Sequence, residues 1–169
     1  MQVPFLGSEA VSAGVVAKHR LRTGFVALHP DVYTRPGAEL SLQHRATAAW
    51  LWSRRGGVLA GLTAAALHGA RYVEDSHPIE LVWPNGRPPQ GIWIHKQDLA
   101  ADEITRRRGL PVTTVQRTAF DLGRRGPLGA AVARLDALGD ATRFDPAELL
   151  RWAQERHGGK RGCGNWSRR

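Results

Sequence analysis

Cationic side chains crowd one short stretch near the start of the chain: Lys18, His19, Arg20 and Arg22, bounded by Gly14 and Gly24. Ammonium and guanidinium groups suit phosphate oxygens, and an imidazole suits base edges, so the stretch is a candidate DNA-binding surface. A solvated basic face on a short helix explains the same residues without a ligand. A second cluster, Arg106, Arg107 and Arg108, precedes Gly109, and His95-Lys96 closes an apolar segment further upstream. Placed side by side at a strand end, these five residues are suited to a phosphate backbone; an edge strand blunted by charge is the competing explanation. His68 lacks a Cys, an Asp or a second His at ligand or triad spacing, which reads as a partly buried structural histidine. Asp31, Asp75, Asp98 and Asp121 are scattered singly. With no nuclease-like D…E-x-K constellation, phosphate loop or zinc motif, the expectation is no catalytic residue, no metal ligand and no cofactor. The single cysteine, Cys163, excludes an internal disulfide and any Cys-rich metal site.

The elements that must position these residues belong to one domain, or one domain with a small appendage, in 169 residues. Hydrophobic content of 42% and charged content of 23% are ordinary, whereas a formal charge of +9 and a pI near 11.1 favour an anionic partner. Arginine vastly outnumbers lysine, and alanine and glycine abound, a pattern that a GC-rich genome also produces. No apolar run approaches membrane-spanning length and no signal-peptide pattern opens the chain, so the expected location is the cytoplasm.

Residues 1–36 read as a compressed winged helix-turn-helix. One short helix runs from Gly7-Ser8 through Ala13, a second from Ala17 to Arg22, and a hairpin pairs 25–28 with 32–34 across His29-Pro30-Asp31. A full winged domain needs three helices, so one is missing or degenerate. Residues 41–54 form a longer helix ended by Gly56-Gly57, with Trp50 and Trp52 on different faces, one in the core and one at a lip. A short alanine-rich helix covers 62–67. Segments 78–83 and 91–95 read as neighbouring antiparallel strands, and 104–108 as another strand.

In residues 109–127, GLPVTTVQRTAFDLGRRGP, the pattern is clearest. Thr113 and Gln116 have capping-box spacing; Val115, Ala119 and Leu122, widened by Phe120, make an apolar stripe. Arg117 and Asp121 are four apart and are expected to pair on the outer face. Arg124 and Arg125 fall in the last turn, where positive charge suits the helix dipole, before Gly126-Pro127. A helix over 128–138 turns Ala131, Leu135 and Leu138 inward, and Asp145-Pro146-Ala147-Glu148 opens a last helix to about His157. Residues 158–169 show no periodicity and read as a disordered basic tail.

The G-L-P-V-T-T strand end followed by R-T-A-x-D-L resembles the C-terminal domain of AbiEi-type antitoxins of type IV toxin–antitoxin systems. VLAGLTAAALHGA, IELVWP and GIWIHKQDL are similar to further segments of that family in the right order, so the resemblance spans roughly residues 5–157. The sequence Asp31-Val32-Tyr33 resembles the G-V-Y that closes the wing in that family, whereas Ala60 stands where its pattern often has a capping serine. The resemblance implies an α+β fold, with a helix-turn-helix-like N-terminal segment followed by a small antiparallel sheet covered by helices. The implied division is a degenerate winged-helix-like segment (1–36), an AbiEi C-terminal-like domain (37–157) and the tail (158–169). It implies a non-enzymatic regulator that binds its own promoter DNA and neutralises a nucleotidyltransferase-like toxin. The same module precedes Vsr-like endonuclease domains, so a truncated, non-catalytic N-terminal half of such a protein is the alternative, as is an interaction module without DNA binding.

Overall fold

The computed structural model describes residues 3–71, 73–74 and 76–157; the expected tail lies outside them. The chain divides into two compact units, Met1–Leu59 with Asp75–Asp98, and Ala60–Glu74 with Leu99–Arg169. The architecture is α+β.

The first unit opens with β1 (Phe5–Leu6), α1 (Gly7–Ser12), α2 (Lys18–Gly24), β2 (Val26–His29) and β3 (Val32–Thr34). The strands form an antiparallel sheet in the order β1-β3-β2, with Phe5 opposite Tyr33 and Val26 opposite Thr34. Two residues are too few to show a strand period, so β1 was not legible in the sequence. The helix α3 (Leu42–Trp52) lies over this sheet, and its Ala48 and Leu51 pack with Leu6 and Val32 in one cluster. Trp50 and Trp52 both flank that cluster half-buried, rather than one of them sitting in the core.

The end of α3 departs from the expected glycine stop. Arg54 and Arg55 take the left-handed backbone themselves, at φ 54° and 64°. Gly56 and Gly57 are needed for close approach instead: a Cβ on Gly56 meets the Trp83 ring at 2.3 Å, and one on Gly57 meets Ser53 Oγ at 2.8 Å. The chain then enters a mixed sheet of β4 (Val58–Leu59), β5 (Ile79–Val82) and β6 (Ile92–His95). β4 and β5 are antiparallel. β5 and β6, expected to be antiparallel, run parallel with Ile79 opposite Ile92. Residues 83–91 are too long for a tight hairpin and carry the chain back to the start of its neighbour.

The second unit holds α4 (Gly61–Leu67), a 3₁₀ turn (Ala101–Glu103), β7 (Ile104–Arg107), β8 (Leu110–Thr113), α5 (Val115–Gly123), α6 (Leu128–Thr142) and α7 (Pro146–His157). β7 and β8 form a hairpin whose two loop residues, Arg108 and Gly109, have φ of 50° and 82°, the signs a two-residue type I′ turn requires. The cap of α5 is Thr114, which accepts from the Arg117 N–H at 3.3 Å. Thr113 instead completes β8, fully buried, with its hydroxyl on that of Thr118 at 2.8 Å. Ala65, Ala119, Leu122, Leu138 and Leu149 form the core, drawn from α4, α5, α6 and α7. α6 runs four residues past Leu138 and closes on left-handed Arg143. α7 is capped as its sequence implies, with the Ala147 N–H donating to Asp145 Oδ1 at 2.8 Å.

Candidate nucleic-acid interface

Leu21 is buried and anchors α2, while Lys18, His19, Arg20 and Arg22 are all exposed. Among the described residues no acidic side chain pairs with Lys18, Arg20 or Arg22. The acids nearby in sequence are already engaged. Asp31, left-handed at φ 62°, directs its carboxylate to the start of α1, where Ser8 donates from its N–H at 2.8 Å and from Oγ at 2.6 Å. Arg54 Nη1 donates to the same carboxylate at 2.8 Å, and Arg55 clasps Glu9 with bonds of 2.5 and 2.7 Å. Burial raises the Asp31 carboxyl, but the two Ser8 hydrogen bonds and Arg54 together hold it below its usual value. The Arg55 hydrogen bond does the same for Glu9. A Cβ at Gly7 meets Tyr33 at 2.6 Å and Leu21 at 3.1 Å, so α1 lies tight against β3 and α2. The result is a short, firmly seated helix with an uncommitted cationic face.

Lys96, the candidate cation of this unit outside α2, is exposed just beyond β6, but its neighbour His95 is engaged. Glu80, a charged residue inside the apolar run of β5, is buried and receives His77 Nε2 at 3.1 Å and His95 Nε2 at 2.6 Å. Arg45 Nη1 donates to the His77 carbonyl at 3.1 Å, and the exposed Trp93 ring meets His77 edge-on. Sequence reading missed this cluster; its signal was a glutamate among buried strand residues with a histidine three positions earlier. Among the described residues no group of His, Cys, Asp and Glu could hold a metal ion.

Arg106, Arg107 and Arg108 fall in the second unit, so the five residues expected side by side are divided between the two units. Arg106 Nη1 donates to the Gly109 carbonyl at 3.0 Å across its own turn. Arg107 Nε donates to His68 Nδ1 at 3.3 Å, and His68 Nε2 lies 2.8 Å from the Thr113 carbonyl. That pairing fixes the neutral tautomer with the proton on Nε2. Burial pushes the His68 pKa down, the Thr113 bond opposes it, and the Arg107 charge adds to the fall. His68 is thus the structural, half-buried histidine that its isolation in the sequence implies. Arg108 is exposed at the turn.

Beside the hairpin lies a buried ion network. Arg117, expected on the outer face of α5, is only 2% exposed; its Nη1 meets Glu103 Oε2 at 2.8 Å and its Nε meets Asp121 Oδ2 at 3.1 Å. Arg124 and Arg125 turn to Asp121 Oδ1 at 3.1 and 3.9 Å instead of simply lining the helix end, and Arg124 also stacks over Phe120 at 5.1 Å. Glu103 Oε2 accepts from the Ala100 N–H as well, at 2.9 Å. Arg156 pairs with Asp102, whose carboxyl that hydrogen bond holds low. Among the described residues of this unit, Arg106, Arg107, Arg117, Arg124, Arg125 and Arg156 thus have internal partners, in contrast to the cations of α2.

No described helix is long and apolar enough to cross a membrane. Residues 57–162 match the family model described as the AbiEi antitoxin C-terminal domain. No curated protein matches the chain.

Proposed function

We infer that this chain, which belongs to the AbiEi antitoxin C-terminal domain family, is the antitoxin of a type IV toxin–antitoxin pair. It acts in the cytoplasm, by binding rather than by catalysis. It represses its own operon through residues 1–36 and neutralises a nucleotidyltransferase-like toxin through the family domain. The observation that carries the DNA-binding half is the exposed face of α2, where Lys18, His19, Arg20 and Arg22 stand without acidic partners among the described residues. The order β1-α1-α2-β2-β3, with β1 beside β3, supports a winged-helix reading in which α2 is the groove-facing helix and β2–β3 the wing. The helix that such a domain normally carries at its start is replaced by α3, which covers the same sheet from the other end of the segment.

The test is a pair of triple variants assayed against the duplex upstream of the chain's own coding sequence. Changing Lys18, Arg20 and Arg22 to alanine should abolish binding at physiological salt and leave the helical circular dichroism signal intact. Each lost phosphate contact should flatten the log–log salt dependence by about 0.9. The matched change of Arg106, Arg107 and Arg108 should leave DNA binding in place. If the hairpin variant loses binding and the α2 variant keeps it, the hairpin is the DNA surface. If both variants keep binding, the DNA surface lies on neither cluster; if the wild type does not bind the duplex, the regulator reading fails.

A further inference from the structure

Resting on the DNA-binding reading of α2, we propose that His19 and Thr23 are the residues that read base identity, while Lys18, Arg20 and Arg22 hold phosphates. The division follows from where Leu21 points. Leu21 is buried, and at 3.6 residues per turn the positions two before and two after it stand about 160° away, at the crest of the helix. Those positions are His19 and Thr23, both exposed. Lys18 and Arg22 fall on one flank of that crest and Arg20 on the other. A helix lowered into a major groove with Leu21 at its back puts the crest against the base pairs and the flanks against the two phosphate walls.

Thr23 carries a further detail. Its Oγ1 donates to the His19 carbonyl at 3.4 Å, the back-bond of a threonine to the preceding turn. That bond turns the hydroxyl toward the backbone and leaves the methyl group on the outer surface. Thr23 therefore presents a methyl, and the matching base feature is the C5-methyl of thymine. His19, one turn earlier, presents ring nitrogens suited to a purine N7. The ligand is accordingly double-stranded DNA with a thymine about one helical turn of protein from a purine, read in the major groove.

The experiment uses the full chain, the upstream duplex, a scrambled duplex, and the upstream duplex with single thymines replaced by deoxyuridine, which deletes only the methyl. For the wild type, one replacement should weaken binding about fourfold, the worth of one buried methyl. Thr23→Val, which keeps the methyl and loses the hydroxyl, should retain that sensitivity; Thr23→Ser should lose it. His19→Ala should lower the preference for the upstream over the scrambled duplex about tenfold with an unchanged salt slope. Single alanine changes at Lys18, Arg20 or Arg22 should do the reverse, lowering the slope by about 0.9 each and preserving the preference. If DNA is bound but His19→Ala and Thr23→Ser leave both preference and methyl sensitivity intact, the assignment is overturned while DNA binding stands. If the wild type binds neither duplex, the DNA-binding reading falls and takes this assignment with it.

Discussion

Arg117 and Asp121 show how a correct pairing can be placed on the wrong side of a helix. Their i,i+4 spacing fixes that they meet, but it is the same whether the pair faces water or core. The apolar stripe of Val115, Ala119 and Leu122 left the opposite flank as the natural place for charge, and the third member, Glu103, is too distant in sequence for local pattern to include it. With Arg117 2% exposed and Asp121 fully buried, the energetics change class. A surface pair contributes under about 1 kcal/mol. Removing one partner of a buried pair leaves an uncompensated charge and costs about 3–5 kcal/mol. Asp121→Ala is thus expected to lower the free energy of unfolding in urea as much as Leu122→Ala, which opens a cavity at a cost of about 2–5 kcal/mol. An Asp121→Ala protein within about 1 kcal/mol of wild type would show that Glu103 alone compensates the buried Arg117 guanidinium.

Elements were legible where they were long or carried their own punctuation. The capping aspartate and first-turn proline gave α7 its start, and the apolar stripe gave α5 its extent, with the cap misjudged by one residue because Thr113 and Thr114 are chemically interchangeable in sequence. β1 was too short, and the β5–β6 pairing direction depends on where a loop delivers the chain, which composition does not encode. Gly109 and Gly129 make a matched check on the element reading. Gly109 holds φ 82° in the β7–β8 turn, with no atom within 4 Å of an added Cβ. Gly109→Ala therefore pays only backbone strain, about 1–2 kcal/mol. Gly129 lies in the first turn of α6, equally open, with a helical backbone. Gly129→Ala should stabilise by about 0.5 kcal/mol, through the entropy removed from the unfolded chain. Urea midpoints should move in opposite directions; a stabilised Gly109→Ala protein would mean that the hairpin turn is not of the primed type.

At the scale of the whole molecule, the +9 charge sets how the protein responds to acid. Burial holds His29 below the ordinary histidine value of 6.5, and burial with the Arg107 charge does so for His68 against the pull of the Thr113 bond. Between 6.5 and those lower folded values the unfolded chain binds more protons, so stability falls as pH drops through that window. Glu9, Asp31 and Asp102 are depressed below 4.5, 3.8 and 3.8, so their contributions are present above those values and disappear on further acidification. The exposed Glu9 and Asp102 pairs add little, which leaves the histidines to set the first step. Each protonated histidine also adds to a net charge that is already positive, so self-repulsion acts in the same direction. The urea midpoint should accordingly be level between about pH 8 and 7, decline from about pH 6.5, and decline again as pH falls below 3.8, where Asp31 loses its contribution. Imidazole proton shifts give the independent check, because His29 and His68 should both titrate below 6.5. Should both titrate at or above that value, burial does not exclude the charged ring at either site, and the first decline would have to come from charge repulsion alone, which added salt should then remove.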